Sequence, residues 1–152
     1  MKQLVECVPN FSEGRDLAKI KQITTAIEAV EGIILLDVDP GKDTNRTVVT
    51  FIGSVEKVED AAFQAIATAA DVIDMRNHSG AHARMGATDV CPFIPVCGVT
   101  TKDCVELSHR VAERVGKELY IPVYLYENSA QDEERKSLPN IRAGEYEGLS
   151  IK

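Results

Sequence analysis

Apolar residues recur at three- and four-residue steps over residues 17–30, and strand-like segments lie on both sides of this pattern. The spacing predicts an amphipathic helix that ends near Gly32. The alternating segment KQLVECV before it reads as a strand. The nearly continuous apolar run IILLDV after it is typical of a strand covered on both faces. A helix between two strands indicates layers of secondary structure around a common core.

The remaining segments extend this order. RTVVTFIG is rich in β-branched residues and predicts a strand that forms a hairpin with IILLDV across the polar loop DPGKDTN. Ser54 can cap an alanine-rich helix that runs to about Asp74. VCPFIPV predicts an edge or bulged strand, because it carries two prolines. Thr100 and Asp103 form a capping-box pattern before a third helical stripe. IPVYLYE predicts a last strand.

The predicted order is β-α-β-β-α, then a glycine-rich loop, then β-α-β. This order predicts the α+β class, as a ferredoxin-like sandwich with a mixed β-sheet and with helices packed on one face. No internal repeat and no composition break divides the 152 residues, so one domain over 1–152 is expected. A chain of this length can bury a core of its own.

Composition excludes several classes of protein. Apolar residues make up 44% and charged residues 27%, as in ordinary globular domains. The formal net charge of −7 argues against a general nucleic-acid binder. No apolar run is long enough to span a membrane and the N-terminus does not resemble a signal peptide, so we expect no membrane association and a cytoplasmic location. The four cysteines match no zinc motif and are expected to be buried thiols.

The glycine-rich segment NHSGAHARMGATDV, residues 77–90, holds two of the three histidines. His78 and His82 are four residues apart, but a zinc site would need a third ligand, and none is evident. His78 can simply bond to a loop carbonyl. For His82 we favour a functional role, because its flanking glycines let the backbone approach a ligand. Arg84 is close enough to share that ligand.

Two other segments are candidate sites. DVDPGKDTNR resembles a calcium loop at first sight, but it lacks the glutamate at position twelve. It is either a solvated turn or a place where Asp39, Asn45 and Arg46 face a cleft. Carboxylate, amide and guanidinium together suit a ligand with cationic and carboxylate groups. CVPNFSEGR is either an ordinary turn or a source of backbone N–H groups for an anion.

Four motifs, in this order along the chain, resemble the N-terminal subdomain of glutamate formiminotransferase, the transferase part of formiminotransferase-cyclodeaminase. They are LVECVPNFSEG, LLDVDPGKDTNRTV, IDMRNHSGAHARMGATDVCPFIPV and IPVYLYE with IRAGEYEGL. The resemblance covers essentially the whole chain and implies a ferredoxin-like fold. It implies transfer of a formimino group from N-formimino-L-glutamate to tetrahydrofolate, as co-substrate, in histidine degradation.

The resemblance also implies roles for individual residues. The family's catalytic histidine lies in a His-Pro-Arg-Met-Gly motif, which matches residues 82–86 with Ala83 in place of proline. It makes His82 the catalytic base and acid, and we expect substrate contacts from Asp39, Asn45, Arg46 and Arg84. No metal is expected.

The resemblance implies a second half as well. In the family, folate lies in a cleft between this subdomain and a C-terminal formiminotransferase subdomain. The chain stops near the linker and lacks the cyclodeaminase domain, so the second subdomain is expected in cis or in trans. A homo-oligomer is left open. Two alternatives also stay open at this point: a non-catalytic folate-binding or regulatory module, and a histidine-ligated metal hydrolase.

Overall fold

A computed structural model describes residues 3–73, 86–123 and 125 of the chain. Within these residues the chain forms six strands and three α-helices, and one π-helical turn, Val115–Leu119, continues the last helix. In chain order the elements are β1 Leu4–Cys7, β2 Asn10–Phe11, α1 Leu17–Glu28, β3 Ile34–Gly41, β4 Arg46–Gly53, α2 Val55–Val72, β5 Thr88–Val90, β6 Phe93–Cys97 and α3 Thr101–Arg114.

Strand β4 lies inside the sheet. β3 pairs along one of its edges, and β1 and β2 pair in succession along the other. β6 and β5 then pair with β1 and β2. Every one of these pairs is antiparallel, so the prediction of a mixed sheet is wrong for the described strands. The reason is that β4 lies between β1 and β3, the two strands that α1 connects, and therefore keeps them from pairing with each other.

Strand β3 differs from its prediction in length and in burial. It continues through Asp39 and Pro40 to Gly41, so the predicted loop is shorter than expected. The side chain of Ile34 is 60% exposed and Leu36 is also exposed, so the strand is not covered on both faces. These side chains are exposed because β3 is an edge strand and the described helices cover only one face of the sheet. An apolar run in the sequence does not show whether both faces of its strand are covered.

The helices follow the predicted periodicity. Ile20, Ile23 and Ile27 of α1 are buried as expected, whereas Leu17 is exposed at the first turn. Ser54 caps α2, and its hydroxyl accepts a hydrogen bond from the Lys57 backbone N–H at 3.4 Å. Four alanines of α2 are fully buried, and their small side chains let this helix approach the sheet closely. These are Ala61, Ala62, Ala65 and Ala69.

The capping box of α3 is confirmed. The Asp103 carboxylate accepts from the Thr100 N–H at 2.9 Å, and the Thr100 hydroxyl accepts from the Asp103 N–H at 3.1 Å. The Asp103 pKa is lowered, mainly by the first of these bonds.

The predicted last strand is not observed over residues 121–123 or at Leu125. Tyr120 ends the π-helical turn in the left-handed region, with φ 56°, so the chain does not enter the sheet directly.

One core joins the sheet to all three helices. Val5 and Cys7 of β1, with Val49 and Phe51 of β4, point into it, and the helices supply the opposite side. The helices therefore pack on a single face of the sheet, as predicted.

Two cysteines, Cys7 and Cys104, are buried, but Cys91 is half-buried and Cys97 is exposed, so burial was predicted correctly for only two of the four. Of the helices in the described segments, none has the length and apolarity to cross a membrane.

Candidate functional site

The second face of the sheet has no described helix over it, and the register identifies the residues on this open face. β4 alternates strictly: its odd-numbered residues are buried in the core, and its even-numbered residues point to the open face. Directly paired residues point the same way. Asp39 pairs with Val48, and Asn10 pairs with Val48 on the other side, so these three form one row across the open face.

The polar end of the open face lies where β3 and β4 meet their connecting turn. Arg46 is one even-numbered position from Val48, so it neighbours Asp39 diagonally across the strand pair. Such diagonal neighbours are about 7–8 Å apart at the backbone, within reach of a long side chain. Asp39 is exposed and Arg46 is half-buried. A carboxylate and a guanidinium are therefore near each other at this end of the face.

The other end of the open face is apolar. The row through Ile52 contains Ile34 of β3 and Glu6 of β1, and Glu6 pairs in turn with Ile94 of β6. Ile34 and Ile94 are both exposed. Ile52 and Glu6 lie between Ile34 and Ile94 in this row, so this end is apolar except at Glu6. Exposed aliphatic side chains on a sheet face are typical of a surface that another protein element covers.

Asn45 shapes the turn between β3 and β4. Its backbone is in the left-handed region, with φ 51°, and only 8% of the residue is exposed. Its side-chain Oδ1 accepts a hydrogen bond from the Gly14 backbone N–H at 2.9 Å. Asparagine tolerates this backbone conformation better than most residues do. Asn45 therefore has a structural role, since it joins the turn to the segment after β2.

The segment 12–15 after β2 is held against the same turn by further bonds. The Thr47 hydroxyl donates to the Glu13 carbonyl, and the Arg15 Nε donates to the Lys42 carbonyl at 2.9 Å. Gly14 is in such close contact that a Cβ there would lie 2.6 Å from the Arg46 nitrogen. Only glycine fits this approach without a shift of the backbone. We call residues 12–15 the clamp.

The clamp also holds the end of the glycine-rich segment. The Ser12 hydroxyl donates to the Gly86 carbonyl at 2.6 Å, and the Ser12 N–H donates to the Ala87 carbonyl at 2.8 Å. Ser12 is 2% exposed, so both bonds are shielded from water. One short segment thus connects the β3–β4 turn to the point where the chain returns from residues 74–85 to β5.

The structure brings together part of the predicted site. Asp39 and Arg46 lie at the polar end of the open face, whereas Asn45 lies in the adjoining turn, where it is buried and bonded to Gly14. His78, His82 and Arg84 lie outside the described residues. The third histidine, His109, is exposed on α3. The sequence predicted Ser12 and Gly14 only as residues of a turn or of a backbone anion site, and it gave no signal of their bonds to Gly86 and Asn45.

The described residues contain no group of three or more His, Cys, Asp or Glu that could hold a metal ion. The segment that resembles a calcium loop is largely strand, since Asp37 and Asp39 both belong to β3. Asp37 pairs with Thr50, so both aspartates are on the open face rather than around one point. This arrangement suits hydrogen bonding to a ligand on the sheet.

The geometry defines an α+β domain whose antiparallel sheet is covered by helices on one side and carries polar side chains at one end of the other. The family model described as formiminotransferase domain, N-terminal subdomain, matches residues 4–152. The chain belongs to this family, as its motifs predicted.

The relatives are formimidoyltransferases. The chain is 55% identical, over its full length, to a formimidoyltransferase-cyclodeaminase of Rattus norvegicus, of which it covers 28%. It is 46% identical, again over its full length, to a glutamate formimidoyltransferase of Streptococcus pyogenes serotype M1, of which it covers 51%. A glutamate formimidoyltransferase of Thermoplasma acidophilum is 46% identical over 98% of the chain, which covers 49% of it. The chain thus spans about half or less of the length of these relatives.

Proposed function

We propose that this chain is the N-terminal half of a unit that transfers a formimino group from N-formimino-L-glutamate to tetrahydrofolate. The family match over residues 4–152 carries the proposal. The polar end of the open face supports it, because Asp39 and Arg46 are suited to a substrate with an amidine-like group and carboxylates. On this proposal tetrahydrofolate is a co-substrate.

The second half of the unit is proposed to pack on the apolar end of the open face. Ile34 and Ile94 are exposed there. Covering them would contribute about 25 cal/mol for each Å² of apolar surface removed from water. The polar end would then become the wall of a cleft between the two halves, with the second half supplied in cis or in trans.

His82 is proposed to move the proton of the reaction. It accepts the proton of tetrahydrofolate N5 as that nitrogen bonds to the formimino carbon. It then returns a proton to the glutamate nitrogen as the bond from that nitrogen to carbon breaks. Histidine is suited to both steps because its pKa lies near neutrality. His82 lies four residues before Gly86, which the clamp holds through Ser12.

The other predicted residues are proposed to bind and orient the substrates. Arg46 and Arg84 would pair with carboxylates or bond to the pterin, and Asp39 would bond to the formimino nitrogen or orient His82. Asn45 would act chiefly through the turn, since its Oδ1 already accepts from Gly14.

The fold is proposed to be ferredoxin-like, within one domain over 1–152. If β1 with β2 and β5 with β6 are each taken as one interrupted strand, the four strands lie in the order 4-1-3-2. The helices α1 and α2 connect them in the βαββαβ sequence of that fold, and α3 is an addition. A solved structure with a different strand order would reject this assignment.

The direct test uses the chain together with its C-terminal half, with His82→Ala and His78→Ala as a matched pair. The first substitution should lower formimino transfer about 10²–10⁴-fold with an almost unchanged Tm. The second should do much less. Near-normal activity of His82→Ala would reject its role. Binding of folate by the wild type without turnover would favour a non-catalytic folate-binding module.

A second test compares the chain alone with the chain plus its C-terminal half. Holding two reactants in attack geometry can contribute up to about 7–11 kcal/mol, and an open cleft would lose much of this. The isolated chain should therefore turn over poorly, and the added half should restore activity. Full activity of the chain alone would show that the site is misplaced.

No metal is proposed to take part. Elemental analysis of the purified protein should find no stoichiometric zinc or calcium. One equivalent of metal, lost together with activity on chelation, would favour the metal hydrolase instead.

A further inference from the structure

Two cysteine thiols are in contact in the native fold. The Sγ atoms of Cys7 and Cys91 are 3.6 Å apart, and both cysteines are free. Cys7 has no exposed surface, whereas Cys91 is half-buried. The formimino-transfer reaction proposed above uses neither of them, so their contact is an independent feature of the molecule.

The contact lies where two neighbouring strands are both interrupted. Cys7 is the last residue of β1, and Val8 and Pro9 separate it from β2; Cys91 lies between β5 and β6, next to Pro92. The backbones stay joined at this level, because the Val8 N–H donates to the Pro92 carbonyl at 3.3 Å. Backbone pairing on both sides, in β1–β6 and β2–β5, holds the two thiols near each other.

From this geometry we propose that Cys7 and Cys91 are a site of reversible disulfide formation by a peroxide-class oxidant. Hydrogen peroxide transfers one oxygen atom to the Cys91 sulfur, giving a sulfenic acid and releasing one water. The Cys7 sulfur then bonds to the Cys91 sulfur, and its proton leaves with the hydroxyl group as a second water. The two thiols lose two electrons to one peroxide. The sulfurs need to move from 3.6 Å to about 2.0 Å.

The order of the two steps follows from burial. Cys91 is accessible to the oxidant, whereas Cys7 is enclosed by the core. Burial, followed by the hydrogen bond with Cys91, raises the pKa of the Cys7 thiol well above its ordinary value. Cys7 is therefore protected from direct oxidation. It acts as the resolving thiol because its sulfur is in contact with the Cys91 sulfur.

The disulfide would link the end of β1 covalently to the segment between β5 and β6. It would join residues 84 positions apart in sequence, which strongly constrains the unfolded chain. A bridge compatible with the native fold should raise Tm by roughly 5–15 °C. It would also fix β5, which follows directly after the Gly86–Ala87 stretch held by Ser12.

The experiment treats the purified protein with hydrogen peroxide, digests it without reductant and identifies linked peptides by mass spectrometry. The matched variants are Cys91→Ser and Cys97→Ser, which make the same change at a half-buried and at an exposed cysteine. We expect a Cys7–Cys91 peptide in the wild type and in Cys97→Ser but not in Cys91→Ser. Dithiothreitol should remove it, and Tm should rise while it is present.

Three results would overturn the proposal. The first is the absence of the linked peptide, including oxidation of Cys91 that proceeds to sulfinic acid without a bridge. The second is a bridge that uses Cys97 instead of Cys91. The third is an unchanged or lower Tm of the bridged protein, which would show that the bridge does not fit the native fold. Formimino transfer is not measured in this experiment, so its failure would leave the proposed function intact.

Discussion

Replacing Gly14 with alanine tests whether the clamp and the β3–β4 turn form one unit. The new Cβ would lie 2.6 Å from the Arg46 nitrogen, 2.8 Å from the Arg46 oxygen and still closer to the Gly41 carbonyl oxygen. Non-bonded carbon atoms pack best at about 3.5–4.0 Å. All three neighbours are backbone atoms, so no side-chain rotation can relieve the clash. The clamp must move away from the turn.

The expected cost has two parts. Overpacking in a well-packed site costs about 1–3 kcal/mol. Movement of the clamp also breaks the buried hydrogen bond from the Gly14 N–H to Asn45 Oδ1, which costs about 1–3 kcal/mol when a partner is left unsatisfied. The free energy of unfolding should fall by about 2–6 kcal/mol, out of the 5–15 kcal/mol that is ordinary for a domain. Tm should fall by ~5–20 °C.

Gly116→Ala is the matched control, because a Cβ at Gly116 would meet no atom within 4 Å. Alanine is favoured over glycine in a helix by about 0.5–1 kcal/mol, so this variant should be as stable as the wild type or slightly more stable. Urea unfolding followed by circular dichroism measures both variants. A Gly14→Ala protein within about 0.5 kcal/mol of the wild type would refute the close contact between the clamp and the turn.

Three further predictions concern local hydrogen bonds. Thr100→Ala removes half of the capping box and should lower the free energy of unfolding by about 1 kcal/mol in urea titrations; no change would mean that the box does not stabilise α3. The lowered pKa of Asp103 means that its bond to Thr100 stabilises the fold above the ordinary aspartate pKa and is lost as pH falls through the lowered value. The stability difference between wild type and Asp103→Ala should therefore shrink in acid, and a difference independent of pH would contradict the assignment. Ser12→Ala and Ser108→Ala each remove a hydroxyl-to-carbonyl bond, of 2.6 and 2.7 Å; the first should cost about 1 kcal/mol, and the second less, because alanine is the better helix former in α3. Only Ser12→Ala should reduce formimino transfer measured with the C-terminal half present, because only Ser12 holds Gly86; equal activities would reject a positioning role.

Local patterns in the sequence determined the helices and the central strand. The boundaries of β4 agree with the segment RTVVTFIG, and the caps at Ser54 and Thr100 mark the starts of α2 and α3. These features depend on side chains within a few residues of one another, so periodicity and capping chemistry predict them well. The sequence also predicted the family, because four long motifs match it.

The tertiary structure alone decided how strands pair and which surfaces stay open. The exposure of Ile34 depends on what covers the sheet, and the antiparallel pairing depends on β4 lying between two strands that are distant in sequence. The clamp depends on bonds from Gly14 to Asn45 and from Ser12 to Gly86, which span 31 and 74 residues. No local pattern encodes such partners, because each residue type forms the same kinds of bond in an ordinary turn, and only the folded chain brings these partners together.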